Sequence, residues 1–275
     1  MHLRAIIGEI ANLMAWRNLP VQINDLVLDV GSGDNPHVRA DVLCDRSLWD
    51  SGERSGNYDL IIDGRPFVFA NGCKLPFKNK VFDFVICRHL VEHIHNPTDL
   101  LEELVRVGKA GYIECLGSFM EKLYGWDFHR QLVDYDNDIL YIRPKATSRN
   151  YGILPVEIKK DTYWEKLVKN NSHLFTVKCL WKDKIQYKTE GPLLDVVDRK
   201  SENISFIPKR SLRRRIRWWI TKAVRFFVAR PKFKIDQILA CPDCHVDLKI
   251  RKTSLVCTKC QKLYAVISGN CFKFN

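Results

Sequence analysis

Two cysteine pairs near the C-terminus have the spacing of a metal site. Each pair is a CxxC motif, Cys241 with Cys244 and Cys257 with Cys260, and twelve residues separate the motifs. Thiolates at this spacing can close a tetrahedral site around Zn²⁺. Four thiolates leave no open coordination position, so we expect a structural and not a catalytic zinc. The other cysteines are scattered, which favours free thiols in a reducing compartment over a disulfide framework.

Two glycines directly after an apolar run predict a turn that can approach a ligand closely. Asp25–Val30 has the composition of a buried strand, and Gly31 and Gly33 follow it. Glycine there lets backbone N–H groups reach a nucleotide-like cofactor. Asp45 ends the next apolar run, where its carboxylate can accept hydrogen bonds from both hydroxyls of a ribose. The glycine pair alone equally fits an ordinary tight turn.

The elements around this turn predict an α/β fold. Strands are expected at residues 25–30, 40–44, 58–62, 67–70, 80–87 and 110–116. A helical pattern follows Asn96, with Thr98 as its N-cap, and apolar residues recur at helical spacing up to Val107. Strands that alternate with helices predict a parallel sheet with helices on both faces. Ligands bind such a sheet at the carboxyl ends of its strands.

Five stretches, in this order, resemble the class I S-adenosylmethionine-dependent methyltransferases. They are Val27–Pro36, Leu75–Phe77, Val81–Ile86, His89–Ile94 and Glu103–Lys109. The resemblance is to the branch that includes the methyltransferases of ubiquinone and menaquinone biosynthesis, and it covers roughly residues 20–120. It implies a Rossmann-like sheet and S-adenosylmethionine as the cofactor.

The resemblance also implies which residues hold the cofactor. Asp29, Gly31 and Gly33 match the first motif of the family, beside the methionine part, and Asp45 matches the acid that holds the ribose. The other matched positions, near the adenine and after the fourth strand, are Asn71, Gly72, Cys87 and Arg88. Two positions depart from the family pattern, because Asn35 replaces the third glycine and Asn71 replaces an acid. An amide oxygen can still accept a hydrogen bond from the adenine amino group.

Methyl transfer from a sulfonium is an in-line displacement, in which the protein mainly aligns the acceptor and excludes water. A general base is needed only if the acceptor must lose a proton. His129 is the first candidate, because it lies among aromatic residues after the fifth strand, where they suit an acceptor pocket. His89 and His93 are further candidates, with Glu92 and Asp127 as orienting carboxylates, although His93 equally fits a structural role at a helix start.

The C-terminal segment resembles the small zinc-ribbon activator subunit of eukaryotic and archaeal methyltransferases. The residues that carry this resemblance are Ile238–Cys244, Leu255–Cys257, Tyr264 and Ile267–Gly269. In that family the ribbon binds and stabilises a methyltransferase that acts on tRNA, rRNA or a release factor. The resemblance implies an internal stabiliser or a substrate-guiding module, fused here to its catalytic domain.

The excess positive charge lies in one segment between these parts. The formal net charge is +12, and the stretch from Asn203 to Ile235 holds eleven basic residues and no acidic one. Apolar residues from Leu212 to Phe227 recur at helical spacing, with arginines and lysines on the other side. Residues 209–234 therefore predict an amphipathic helix that binds an anionic membrane surface. Packing on the core and binding to RNA are the alternatives.

We divide the chain into a methyltransferase domain (1–203), a basic amphipathic linker (204–234) and a zinc-ribbon domain (235–275). The expected activity is methyl transfer to a small or lipid-linked metabolite, for example a sugar hydroxyl of a surface glycan. The alternatives are an RNA or translation-factor methyltransferase with a built-in activator, and a non-catalytic zinc-binding adaptor. The nearly neutral charge outside the linker disfavours RNA, and the glycine motif disfavours the adaptor.

No apolar run is long enough to span a membrane, and residues 1–16 predict an amphipathic helix rather than a secretory signal. We therefore expect a cytoplasmic protein, with peripheral attachment to the inner face of the membrane as an option.

Overall fold

The computed structural model describes residues 19–46, 60–145, 151–190, 233–251, 253–268 and 270–274, and the single positions Trp219, Thr221 and Ala223. The amphipathic helix predicted for residues 1–16 and most of the basic segment lie outside these residues.

Thirteen strands are described. They are β1 (Val27–Val30), β2 (Val42–Asp45), β3 (Phe67–Phe69), β4 (Phe82–Arg88), β5 (Gly108–Leu116), β6 (Gln131–Asp136), β7 (Ile139–Pro144), β8 (Thr176–Lys182), β9 (Tyr187–Thr189), β10 (Leu248–Arg251), β11 (Ser254–Cys257), β12 (Leu263–Ser268) and β13 (Cys271–Lys273). The described helices are α1 (Pro97–Val107), α2 (Ser118–Tyr124), α3 (Val156–Lys159), α4 (Thr162–Asn170), α5 (Ser172–Phe175) and α6 (Ile235–Ile238), with a 3₁₀ helix at Val91–His93.

The centre of the fold is a parallel sheet in the order β3-β2-β1-β4-β5, with β8 antiparallel to β5. All four residues of β1 are buried, as expected for a parallel strand that is covered on both faces. Helix α1 connects β4 to β5 and buries Leu100, Leu101 and Leu104. The predicted Rossmann-like α/β fold is confirmed, although the whole sheet is mixed and not purely parallel.

The chain passes from β1 to β2 through residues 31–41 without a helix, and the turn predicted at Gly31 and Gly33 is present. Two local predictions were wrong. Helix α1 begins at Pro97 with Asn96 at its N-cap, and Thr98 is inside it, because proline suits the first helical position. No strand forms at residues 60–62; the first two residues of that predicted strand lie outside the described residues.

A second sheet, in the order β6-β7-β9, lies beyond the carboxyl ends of the central strands. The hairpin of β6 and β7 turns at Asn137 and Asp138, whose φ angles are 47° and 61°. Asn and Asp tolerate this left-handed conformation, and such turns match the twist of a hairpin. The bridge between Gly117 and Val133 connects β6 to the end of β5.

The C-terminal segment extends the central sheet. Strands β10 to β13 form an antiparallel meander, and β13 pairs in parallel with β3, with Phe272 opposite Val68. Leu239 forms a bridge with Phe77, and both side chains are buried in the same core. The described residues of the predicted zinc ribbon are thus continuous with the sheet of the predicted methyltransferase domain. The boundaries at residues 203 and 234 stay predictions.

The basic segment is described at three helical positions. Trp219 is 63% exposed and Ala223 is also exposed, whereas Thr221 is buried. Trp219 and Ala223 belong to the predicted apolar stripe, so at these positions the stripe does not pack on the core. Among the described residues, no helix is long and apolar enough to cross a membrane.

Candidate active site

The glycine turn lies where β1 ends, between β2 and β4. Gly31 and Gly33 have φ angles of 73° and 51°, which L side chains rarely adopt. The N–H of Gly31 donates to the Cys44 carbonyl at 2.9 Å, and that of Gly33 donates to Asp45 Oδ2 at 2.9 Å. The turn is therefore tied to the end of β2, and Asp45, the predicted ribose-binding residue, shapes it directly.

Asp29 is buried beneath this turn. Its Oδ2 accepts a hydrogen bond of 2.6 Å from the N–H of His37, which holds the loop between β1 and β2. Burial raises the pKa of the Asp29 carboxyl, and the nearby Arg88 charge opposes this shift. Arg88 also donates to the Asn35 carbonyl at 2.7 Å. Asp29 and Arg88 thus hold the loop at the predicted cofactor position from two sides.

Gly72 and Gly31 face the same side chain. A Cβ at Gly31 would lie 3.2 Å from Leu90 Cδ2, and one at Gly72 would lie 3.5 Å from the same atom and 3.1 Å from Leu100 Cδ1. The neighbouring Asn71 is exposed, and its Oδ1 accepts from the N–H of Cys73 at 3.0 Å. Glycine is therefore required at both positions by the close approach of the protein's own Leu90 and Leu100 side chains. Asn71 is fixed in a turn at the predicted adenine side.

The end of β4 combines a buried thiol with a strained residue. Cys87 pairs with Val30 across the sheet, and burial raises the pKa of its thiol well above the usual range, so the thiol is neutral. His89 has a φ angle of 50°, a strained conformation for a residue other than glycine. Its N–H donates to the Glu114 carbonyl at 2.7 Å, which anchors the turn to β5.

His129 is buried and hydrogen-bonded to a carboxylate at the predicted acceptor side. Its Nδ1 lies 2.6 Å from Glu121 Oε2, and Lys145 Nζ contacts the other oxygen of Glu121 at 2.5 Å. The aromatic neighbours expected from the sequence are present, since the rings of Trp126 and Phe128 lie 5.2 and 5.0 Å from the His129 ring. Asp127, the orienting carboxylate predicted from the sequence, is exposed, and Glu121 makes the hydrogen bond instead.

Glu92, His93 and His129 form a second group, which we call the imidazole cluster. Each offers one ligand atom, and these atoms lie within 4.8 Å of one another. Burial raises the pKa of the Glu92 carboxyl, but the hydrogen bond from His89 and the charges of His93 and His89 more than offset this, so the pKa is lowered. All three residues are candidates predicted from the sequence, but their proximity to one another was not predicted.

The four predicted zinc ligands also meet, in what we call the thiolate cluster. The sulfur atoms of Cys241, Cys244, Cys257 and Cys260 lie within 4.8 Å of one another. Sulfurs bound at about 2.3 Å to a tetrahedral zinc are about 3.8 Å apart, and Cys241 Sγ and Cys260 Sγ are 3.8 Å apart. The N–H groups of Lys259 and Cys260 donate to Cys257 Sγ, as expected around a thiolate. The donor set therefore fits structural zinc.

Comparison with known proteins identifies part of the chain. Residues 51–115 match the family model for a methyltransferase domain. The chain carries a methyltransferase domain. The expected enzyme class, an S-adenosylmethionine-dependent methyltransferase, and its cofactor are thereby confirmed. The matched range contains Asn71, Gly72, Cys87 and Arg88 and lies C-terminal to the glycine turn, and the quinone-biosynthesis branch and the individual site residues stay predictions.

Several solved structures are similar to parts of this methyltransferase. A complex between the Haloferax volcanii Trm112 methyltransferase activator and a putative methyltransferase is 15% identical over 62% of this chain and 88% of that chain, with a TM-score of 0.39. A putative methyltransferase from Bacillus halodurans is 18% identical over 44% of this chain and 62% of its own, with a TM-score of 0.31.

Haemonchus contortus phosphoethanolamine N-methyltransferase 2, in complex with S-adenosyl-L-methionine, is 18% identical over 40% of this chain and 28% of its own, with a TM-score of 0.28. The chain spans less than two thirds of the length of these last two structures. No curated protein matches it significantly.

Proposed function

We propose that this methyltransferase acts on an oxygen of a small or lipid-linked metabolite, with sugar hydroxyls as the first acceptor class. The observation that supports an oxygen acceptor is the buried pair of His129 and Glu121. A hydroxyl group must lose its proton as it attacks the sulfonium, and a positioned histidine can accept that proton. When bound, the cofactor supplies the methyl group and its electrophilic carbon.

The hydrogen bond to Glu121 selects the form of His129 that can act as a base. With its Nδ1–H directed to the carboxylate, the neutral ring carries its lone pair on Nε2. Glu121 also stabilises the imidazolium that forms when Nε2 takes the proton, as a buried carboxylate does in a catalytic triad. Lys145 fixes the second oxygen of Glu121 and so holds the carboxylate in place.

Aromatic side chains beside His129 suit a ring-shaped acceptor. Tyr124 and Trp126 stack with their ring centroids 5.1 Å apart, and Trp126 also approaches His129. Flat apolar surfaces with polar groups at their rims favour sugars and other cyclic alcohols. The proposed cofactor residues remain Asp29, Gly31, Gly33, Asp45, Asn71, Gly72, Cys87 and Arg88.

We also propose that the C-terminal segment stabilises the methyltransferase sheet within the same chain. Support comes from the parallel pairing of β13 with β3 and from hydrogen bonds at both ends of β3, where Phe67 N–H donates to the Asn270 carbonyl at 2.8 Å and Phe274 N–H to the Phe69 carbonyl at 2.8 Å. In this role zinc is structural, and the thiolate cluster takes no part in methyl transfer.

The test is an acceptor screen with the zinc-replete full-length chain, read as formation of S-adenosylhomocysteine. The acceptors are free sugars, polyprenyl-linked sugars in anionic vesicles and transfer RNA. We expect turnover with a sugar, reduced at least about 100-fold in His129→Gln and unchanged in the matched control His173→Gln, an exposed histidine. Turnover with RNA alone would overturn the proposal in favour of an RNA methyltransferase, and failure to bind the cofactor would favour the adaptor.

A further inference from the structure

We infer that the imidazole cluster binds a divalent transition-metal ion, such as Zn²⁺ or Co²⁺, beside the acceptor pocket. The ligands are Glu92, His93 and His129, whose ligand atoms lie within 4.8 Å of one another. Two imidazole nitrogens and one carboxylate oxygen form a donor set that zinc and its neighbours in the first transition row prefer. The role of this ion in catalysis rests on the proposed function, whereas its binding does not.

The carboxylate of Glu92 has an unused oxygen in the interior of the protein. Glu92 is 1% exposed, and among the described residues its Oε2 has no hydrogen-bond partner. Its Oε1 accepts from the N–H of Leu116 at 3.4 Å and lies 3.4 Å from His89 Nδ1. A buried charged oxygen without a partner is costly. A cation held by the cluster supplies that partner.

His129 is already oriented as metal-binding histidines are. Its Nδ1 contacts Glu121 Oε2 at 2.6 Å, so its Nε2 is the nitrogen available to a metal. A carboxylate on the second nitrogen of a metal-binding imidazole fixes the ring and increases its basicity. The His93 ring meets the His129 ring edge to face at a centroid distance of 4.8 Å and stacks on Phe128.

The segments that carry these ligands are joined by hydrogen bonds. Arg130 N–H donates to the Glu92 carbonyl at 2.7 Å, and Arg130 Nη1 donates to the His93 carbonyl at 2.9 Å. Gln131 Nε2 donates to the Ile94 carbonyl at 3.0 Å, from the first residue of β6. The 3₁₀ helix and the start of β6 thus form one unit, which holds the ligands in place before an ion binds.

Three protein ligands leave at least one coordination position for an acceptor. The N–H of Leu116, at the carboxyl end of β5, marks the cluster as part of the edge where the ligands of such sheets bind. A hydroxyl group bound to the ion would have a lowered pKa, and its oxygen would be positioned for attack. In that case His129 Nε2 holds the ion and does not take the proton, which the hydroxyl bound to the ion would release to water as its oxygen attacks the methyl carbon. The inference thus favours acceptors that offer a chelating hydroxyl group.

Metal content tests the inference without reference to turnover. The full-length protein is dialysed to equilibrium against micromolar zinc, and its zinc is measured by elemental analysis. We expect two ions per wild-type chain, one in each cluster. We expect one ion in Glu92→Gln and in His129→Gln, and two in the matched control His173→Gln.

Cobalt identifies which cluster is filled. Once the thiolate cluster is saturated with zinc, added Co²⁺ should give a visible band without the strong thiolate charge-transfer absorption. A wild-type chain that holds one ion, in the thiolate cluster, overturns the inference, and this result does not depend on any variant folding. Turnover on sugars is measured on the same samples. Normal turnover by a chain that holds a single ion would overturn the inference of a second metal site and leave the proposed function unchanged.

Discussion

The thiolate cluster and the imidazole cluster are assembled in different ways. The thiolate ligands lie within one short segment, Cys241–Cys260, in which the turns before β10 and after β11 bring the two CxxC motifs together. The imidazole ligands come from the 3₁₀ helix after β4 and from the loop before β6, which are joined by the contacts of Arg130 and Gln131. The first is a local arrangement, whereas the second needs the packed central sheet.

This difference indicates separate roles, with the thiolate cluster serving the stability of the fold and the imidazole cluster serving methyl transfer. Four thiolates close the coordination of an ion and so suit the thiolate cluster to holding the C-terminal strands in place. The imidazole cluster has fewer ligands, adjoins the aromatic ring of Trp126 and contains a buried carboxylate oxygen without a partner among the described residues. Changes in the first should therefore affect the fold, and changes in the second should affect turnover.

The largest expected effect comes from removing a thiolate. Cys257→Ser should lose the zinc of the thiolate cluster and lower the free energy of unfolding by about 3 kcal/mol or more, which corresponds to a fall in melting temperature of about 10 °C. Thermal unfolding with elemental analysis checks this. Cys271→Ser, in the same segment but outside the cluster, should change neither quantity by a comparable amount. Equal melting temperatures for the two variants would contradict a stabilising role for the zinc.

The next effect concerns Glu121. Glu121→Gln should reduce kcat by about 10- to 100-fold, because His129 loses the charged partner that orients it. The change also leaves the ammonium of Lys145 without its carboxylate. The double variant Glu121→Gln with Lys145→Met removes that buried charge, so it should recover stability and remain slow. Recovery of kcat in the double variant would mean that Glu121 acts only on stability.

A substitution in the glycine turn should change cofactor affinity independently of the two clusters. Gly31→Ala places a side chain at a φ of 73° and 3.2 Å from Leu90, and we expect cofactor affinity to fall about tenfold. Gly64→Ala is the matched control, because its φ of 92° imposes similar backbone strain while no atom lies within 4 Å of the added Cβ. Titration calorimetry with S-adenosylmethionine compares them. If both variants lose affinity equally, backbone strain alone accounts for the loss.

The smallest effect is a pH dependence beside the imidazole cluster. Desolvation lowers the pKa of His89, but its hydrogen bond with Glu92 and the charges of Glu92 and Glu114 outweigh it, so the pKa is raised. Protonated His89 therefore stabilises the fold below about pH 6.5, and this contribution is lost as the pH rises through the raised pKa. Asn tolerates the left-handed conformation of His89, so His89→Asn removes the titrating ring with little added strain.

Urea unfolding of the wild type and of His89→Asn at about pH 6 and about pH 9 measures this contribution. At the lower pH the wild type should be more stable than His89→Asn. The difference in the free energy of unfolding should be less than about 1 kcal/mol, because the His89 side chain is half exposed. The difference should shrink at the higher pH. A difference that grows with pH would show that the pKa is not raised in the folded protein.

The sequence alone predicted the features that depend on a local pattern of residues. The apolar runs predicted β1, β2, β4 and β5 within a few residues, and the CxxC spacing predicted the thiolate cluster. It did not predict features that depend on contacts between distant segments. The pairing of β13 with β3 has no local signature, because any apolar strand can pair with an open edge.

The candidate site was also predicted only in part. His129 was selected for its aromatic neighbours, which the structure places around it. Glu121 was missed because α2 was not predicted. The available signal was the presence of an acidic residue among the aromatic and apolar residues of Ser118–Tyr124.

The pairing of β13 with β3 also has a consequence for biosynthesis. During translation, β3 emerges about 200 residues before its partner, so its unpaired N–H and C=O groups stay exposed for much of synthesis. An uncovered sheet edge is a template for pairing with another chain, and therefore for aggregation. Strands β10 to β13 thus cover an edge of the catalytic fold only after the rest of that fold has been synthesised. If zinc holds these strands in place, a shortage of zinc should increase the aggregated fraction of newly made chains.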